Sequence, residues 1–345
     1  MTTNPHLRTT TSLNGTGDHR SSPLHIVIFS ASIVSDWQNP AATTVRAVMR
    51  ALIAEGHEVV HLEERRNQPT VDLLRARGSV GLRDFTERYA ELPYRTYEMP
   101  SGLERTVWFV RQVSTADAVI ILDGTPHGVV ELAAQLPSRH LTWVRWSSDP
   151  DRDTSWASIS LVPMAGDAEP PEDTDGQSSR TTFLGPAVER LTPTSETERS
   201  GILLVAYDDV EIAEATRQVL ADRHLTCLSA GSVSGDRWQP VSEVALPDHY
   251  QGALLTVIVE SSANEFAAAR TCLPIASGCQ TITIRSRSDL DDLKDRIAGH
   301  NTVVPDAPTD LPDRFNATVA ARRLIQLIRP DRVSVVVDTA PIGRG

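Results

Sequence analysis

The chain has 345 residues, 40% of them hydrophobic and 23% charged, a globular composition that at ~150 residues per domain predicts about two domains. Lys and Arg number 33 against 45 Asp and Glu, a formal net charge of −12, which argues against a nucleic-acid partner because phosphate recognition needs a basic face. No apolar run approaches the ~18 residues that span a bilayer, so no transmembrane segment is expected.

Residues 1–23 are rich in Thr, Ser, Asn and Gly without an apolar core; they read as a disordered tail and not as a secretory signal. Residues 24–29 (LHIVIF) form a β-branched run that predicts a buried first strand. A polar loop at 30–40 leads to a helix at 41–55, with Val45, Val48, Met49, Leu52 and Ile53 at helical spacing and Gly56 as its C-terminal cap. A second strand at 58–62 completes a β-loop-α-β unit, so a parallel sheet is expected. Helices at 70–91 and 103–114, a strand at 119–122, a tight loop at 124–128, a helix at 129–136 and a strand at 141–146 continue the alternation. Residues 165–180 are acidic and rich in Pro, Gly and Ser, and read as a linker; 183–188 is a short strand-like re-entry; 192–200 is polar again and marks a domain boundary.

A new first strand at 201–207 restarts the pattern, followed by a helix at 210–223, strands at 225–230 and 254–259, a helix at 264–273 interrupted by Pro274, a strand at 281–284 and helices at 290–298 and 313–328. The expected fold is therefore α/β: two Rossmann-like doubly wound domains, 24–190 and 200–330, with 331–345 as a tail. Cys227, Cys272 and Cys279 match neither a disulfide framework nor a zinc spacing, and an odd count fits a reducing, cytoplasmic setting. Lys294 is the only lysine, so any phosphate clamp must come from arginine, backbone amides or helix ends.

Doubly wound domains bind ligands beyond the C-terminal ends of their strands. That places Asp36, Trp37 and Asn39, in the loop after the first strand, as substrate-binding candidates, or as part of a loop that only caps the sheet. His127 suits a general base, with Asp123 to orient it, or is an exposed loop histidine. Gly231 and Ser232 open a Gly/Ser-rich loop (GSVSG) whose amides suit a phosphate, although no P-loop lysine or dinucleotide fingerprint follows. The carboxylate run at 149–153 (DPDRD) lacks the glycine and distant glutamate of a calcium loop and reads as a solvated turn, leaving no metal site.

Segment 29–46 (FSASIVSDWQNPAATTVR), continuing to EGHEV at 55–59, resembles the opening of CgeB-like (spore-maturation type) glycosyltransferases, and 116–120 with Pro126 and Gly128 is similar to that family's next strand and loop. Leu184 to Val188 sits where such enzymes lead into their second domain, and 265–282 is similar to the donor segment of retaining, family 4-like GT-B enzymes. The resemblance implies a GT-B fold, with two Rossmann-like domains facing across a cleft. It implies transfer of a sugar from a nucleotide-diphosphate-sugar donor to a small-molecule acceptor, with no tightly bound cofactor and no metal. It makes Glu265 the catalytic carry-over, contacting the donor sugar or its leaving oxygen, and brings Ala276, Ser277 and Gly278 toward the nucleotide.

The sequence departs from the resembled pattern at three points. Leu273 stands where the family has a second glutamate that accepts from the donor ribose, Gln280 where it has a proline, and Asp208-Asp209 where it often has a basic residue for the diphosphate. These departures predict a degraded donor site. They favour an alternative reading, a catalytically inactive GT-B-like binding or partner protein, and a nucleotide-sugar epimerase is a third.

Overall fold

The computed structural model describes residues 22–35, 39–136, 141–147, 156–162, 180–184, 187–189, 199–261, 266, 268–297 and 313–329. In chain order these form β1 (His25–Phe29), α1 (Ala41–Ala54), β2 (Glu58–Glu64), α2 (Gln68–Arg77), α3 (Ser79–Arg88), β3 (Tyr94–Tyr97), α4 (Gly102–Val113), β4 (Ala118–Leu122), α5 (His127–Gln135), β5 (Thr142–Trp146), β6 (Ile159–Val162) and β7 (Arg180–Phe183). The second half contains β8 (Ile202–Ala206), α6 (Val210–Val219), β9 (Leu225–Ser229), β10 (Gln239–Pro240), α7 (Leu246–Gly252), β11 (Leu255–Val259), α8 (Ala268–Ala276), β12 (Gln280–Ile284), α9 (Arg287–Ile297) and α10 (Ala317–Ile328).

Seven strands make one parallel sheet in the order β3-β2-β1-β4-β5-β6-β7, and five make a second in the order β10-β9-β8-β11-β12. β1 lies between β2 and β4, with Ile26 opposite both Val59 and Ala118; β8 lies between β9 and β11, with Leu204 opposite Cys227 and Val257. Strand order therefore reverses at β1/β4 in the first sheet and at β8/β11 in the second, which are the ligand crevices of doubly wound sheets. The central strands are buried on both faces, which is why they read as continuous apolar runs.

The expected single helix at 70–91 is two helices, broken at Gly78, whose φ of +60° turns the chain. The expected helix at 264–273 is replaced by α8, which carries Pro274 inside it instead of ending there. Leu324, Ala321 and Ile328 of α10 share a core with Val45, Val48, Met49 and Leu52 of α1, so the last helix completes the first domain. The two chain crossings between the halves run side by side: Val188 N–H donates to Phe315 O at 2.8 Å, and Ala317 N–H to Val188 O at 3.1 Å. Among the described residues no helix is long and apolar enough to cross a membrane.

Candidate functional site

The C-terminal ends of the two sheets face each other. Trp146, the last residue of β5, packs its ring 5.6 Å from that of Phe266, which follows β11. Arg77, at the end of α2, donates from Nη2 to the carbonyl of Ser229, the last residue of β9, at 2.6 Å. Asp84 of α3 accepts from Ser242 Oγ at 2.6 Å, and Arg88 pairs with Asp248 at 2.9 Å. The α2–α3 hairpin thus lies as a bridge between the first domain and the second.

On the first-domain side, the described residues of the loop after β1 are bound down. Ser30, Ser32 and Ser35 are fully buried. Ser30 Oγ and His61 Nε2 of β2 are hydrogen-bonded at 2.8 Å, Ile33 N–H donates to Glu63 Oε2 at 2.9 Å, and Arg46 Nη1 donates to Ile33 O at 2.7 Å. Asn39, also buried, donates its amide to Ser32 O at 2.5 Å, so its side chain braces the loop from within, away from the position a substrate contact would need. Burial drives the His61 imidazole down to about 3, so it is neutral, and pushes the Glu63 carboxyl up to about 7 against the hydrogen bonds from Ile33, Ser32 and Asn67. Ser30, His61 and Glu63 have the connectivity of a nucleophile, base and orienting acid. However, His61 Nδ1 and Glu63 Oε2 are 3.9 Å apart and Ser30 is closed off from solvent, so the line serves to hold the loop.

At the β1/β4 crevice, Thr125 Oγ1 donates to Phe29 O at 2.9 Å, and a Cβ on Gly124 would meet Ala31 Cβ at 2.7 Å, so the two loops touch. Asp123 does not orient His127: its Oδ1 accepts from Arg145 Nη2 and Ser147 Oγ, both at 2.8 Å. His127 opens α5 with an 80%-exposed side chain, and its Nδ1 lies 3.1 Å from Glu131 one turn on. It sits at the surface, beside a carboxylate of its own helix.

On the second-domain side, Asp208 bridges the β8/β11 crevice, accepting from Ser261 N–H at 3.2 Å and Ser261 Oγ at 2.9 Å. Asp209 caps α6 by accepting from Ile212 N–H, so a carboxylate already occupies the helix N-terminus that would otherwise greet a phosphate. Behind them, buried Glu260 and Arg270 form an ion pair at 2.5 Å, and the Arg270 guanidinium stacks 4.4 Å over the Tyr207 ring. Sequence reasoning missed this pair, since a glutamate after a strand and an arginine in a helix carry no motif.

Gly231 and Ser232 lie on the ligand face but turn inward. A Cβ at Gly231 would fall 1.7 Å from Tyr207 O, while Ser232 N–H donates to that same carbonyl at 2.8 Å and its hydroxyl donates to Asp208 O at 3.3 Å. The glycine is required for two loop backbones to touch, and the serine's donors are spent on the turn after β8 instead of a phosphate. Ala276, Ser277 and Gly278 are at the wrong end for a nucleotide: they close α8 just before β12 begins, at the N-terminal edge of the sheet, where Ser277 O accepts from Arg199 at 2.6 Å. Gly278, with φ of +70°, is there a helix terminator. Leu273 is buried in the second domain's core with Leu203, Val205, Tyr207 and Ala269. Glu265, Asp36, Trp37 and the carboxylate run at 149–153 lie outside the described residues. Among the described residues, no group of three or more His, Cys, Asp or Glu is placed to hold a metal ion.

No protein-family model matches the chain, and no curated protein sequence matches it. Solved structures do. An alpha-glucosyltransferase in complex with UDP and a 13-mer DNA containing a HMU base superposes with a TM-score of 0.54 at 8% identity, covering 89% of this chain and 99% of that one. Alpha-glucosyltransferase in complex with UDP gives a TM-score of 0.53 at 7% identity, covering 88% and 94%. MnaA of S. aureus with UDP gives 0.50 at 10% identity, covering 89% and 95%. At such identities the likeness is one of fold, and the fold is GT-B: two parallel-sheet α/β domains facing across a cleft.

Proposed function

We propose that the interdomain cleft binds a nucleoside-diphosphate sugar and that the chain is glycosyltransferase-like, with the donor against the β8/β11 end and a small acceptor on the cleft side of the loop after β1. The observation that carries this reading is the apposition of the two strand-order reversals, closed by Trp146 on Phe266 and Arg77 on Ser229. The similar structures named above are complexes with UDP, which supports the same ligand class. Chemically, such a site works by positioning donor and acceptor and by stabilising the leaving diphosphate. Asp36 and Trp37 are the acceptor-side residues of this reading, and Glu265 its donor-side acid.

A second reading, a binding protein without turnover, is favoured by the charge at the donor end. Asp208 and Asp209 are committed to Ser261 and Ile212, and Arg270 is matched by Glu260. A unit-charge pair at ~4 Å in an effective dielectric near 20 repels by ~4 kcal/mol, so a diphosphate meeting this end is bound weakly.

Calorimetry of the full chain with UDP, GDP and their sugars, followed by a turnover assay, tests both. Millimolar binding with little turnover is expected from the acidic donor end. Micromolar binding with turnover establishes the transferase and refutes the degraded site. Absence of binding to any nucleotide at millimolar concentration removes the transferase reading and leaves the inactive binding or partner protein.

A further inference from the structure

α4 is apolar on the side that faces away from its own domain as well as on the side that faces it. Inward, Phe109 and Val113 are buried, with Phe109 packed 5.8 Å from Phe29 and 6.1 Å from Trp143. Outward, Leu103, Val107 and Val110 follow one another at i, i+4 and i+7 and are 87%, 52% and 38% exposed; Leu103 is the most exposed large apolar side chain among the described residues. An apolar stripe left on the solvent side of a helix, rimmed by polar residues, marks a surface for association. At 3.6 residues per turn and 1.5 Å rise per residue the three outward residues form a single stripe about 10 Å long along the helix.

The charges beside the stripe say what covers it. Glu104 and Arg111 are both exposed, and among the described residues neither has an ion-pair partner. Seven residues apart, they lie on the same flank of the stripe and are placed symmetrically about its middle, near Val107. Two helices packed face to face in antiparallel fashion bring like flanks together, so Glu104 of each copy meets Arg111 of the other, twice, while the stripes close on each other. In a parallel arrangement these flanks do not meet. A surface that complements itself under a two-fold axis is the mark of an isologous interface.

We propose that α4 is a homodimer interface: two copies of this chain associate through antiparallel α4 helices, with Leu103, Val107 and Val110 in the seam and reciprocal Glu104–Arg111 pairs beside it. One helix face covers less than the ~800 Å² per partner of a standard interface, so the dimer is a weak, concentration-dependent one.

Sedimentation velocity of the full chain over a range of micromolar concentrations tests this. Monomer at low concentration and dimer at high concentration are expected. Val107→Asp should abolish association while leaving the circular-dichroism spectrum and melting temperature unchanged, because the residue faces outward. The charge variants discriminate the geometry. Glu104→Arg alone and Arg111→Glu alone each put like charges opposite one another, and each should weaken self-association about tenfold, two surface pairs being reversed at once. Mixed together, the two variants should associate with each other as tightly as the unmodified chain, and the double variant should regain self-association. A chain that stays monomeric at every concentration overturns the proposal, whatever else covers the helix. So does a dimer that is indifferent to all of these substitutions, or a pair of charge variants that fail to complement.

Discussion

Replacing Glu63 with glutamine tests the buried polar layer under the loop after β1. The Glu63 carboxyl is almost wholly buried and pushed up to about 7 from the ordinary 4.5, chiefly by burial. His61, 3.9 Å away, supplies no compensating charge, because its own burial keeps it neutral. A folded-state value above the unfolded one means that the native chain binds the proton more tightly. Glu63 therefore contributes stability that is full below pH 4.5, declines as the pH rises, and is gone above pH 7. The difference between 4.5 and about 7 corresponds to about 3 kcal/mol. His61 acts in the opposite sense: its lowered value gives stability that is present above pH 6.5 and lost as the pH falls toward 3. The two slopes offset each other in the native sequence. Glu63→Gln keeps an oxygen for Ile33 N–H, weakens one hydrogen bond at a cost of ~1 kcal/mol, and leaves the His61 slope alone. Urea unfolding of both proteins at pH 4.5 and pH 8 should show the variant gaining about 3 kcal/mol on the native chain over that interval. A gap that stays constant to within ~1 kcal/mol would mean that Glu63 ionises normally and that the loop is not sealed as described.

Other substitutions probe the donor end and the domain join. Gly231→Ala places a methyl group 1.7 Å from Tyr207 O and should cost more than ~3 kcal/mol or abolish soluble expression, read by thermal melting. Arg270→Ala leaves Glu260 buried without its cation and should cost ~3–5 kcal/mol, whereas Arg270→Met combined with Glu260→Leu should restore much of that loss. Leu273→Glu buries a carboxylate among Leu203, Val205 and Ala269, and should lower the melting temperature sharply without raising nucleotide affinity in calorimetry. A fragment ending at residue 190 should aggregate unless α10 is added back, because it exposes the face of α1 that α10 covers; a soluble, cooperative fragment would show the first domain to be self-sufficient.

Legibility in the sequence follows burial. The strands at the middle of each sheet, β1, β4, β8 and β11, are apolar on both faces, and α1 carries its core residues at helical spacing, so pattern and structure coincide. The strands that escaped notice are at or near the edges. β3 (YRTY) exposes three of its four side chains, and β10 has only two residues, so neither offers a pattern to read. Their strand character comes from a neighbour's free edge, which a linear sequence does not display. Gly78 fell within a run of helical composition, and only its positive φ divides that run in two.

Strand order makes the crevices legible in the sequence; what the side chains around them do is not. The loop after the first strand does lie at the C-terminal end of the sheet, but the sequence could not show that its serines face inward. His61 and Glu63 alternate along β2 in the manner of a solvated strand face, and a polar strand face covered by a polar loop has the same composition as one covered by water. The resemblance failed for the same reason at 276–278: small residues at the end of a helix terminate it equally well whether or not a nucleotide lies nearby. Asp208 and Asp209 show what geometry adds. Read as charges, they only repel a phosphate. Placed in space, one ties β8 to β11 and the other caps α6, so replacing them removes structural hydrogen bonds together with the repulsion. Asp209→Asn separates the two effects, since asparagine caps a helix as well as aspartate does and carries no charge. If the acids weaken nucleotide binding by charge, this variant should bind UDP more tightly at unchanged stability. If its affinity is unchanged as well, the diphosphate does not approach α6, and the donor end must be sought elsewhere along the cleft.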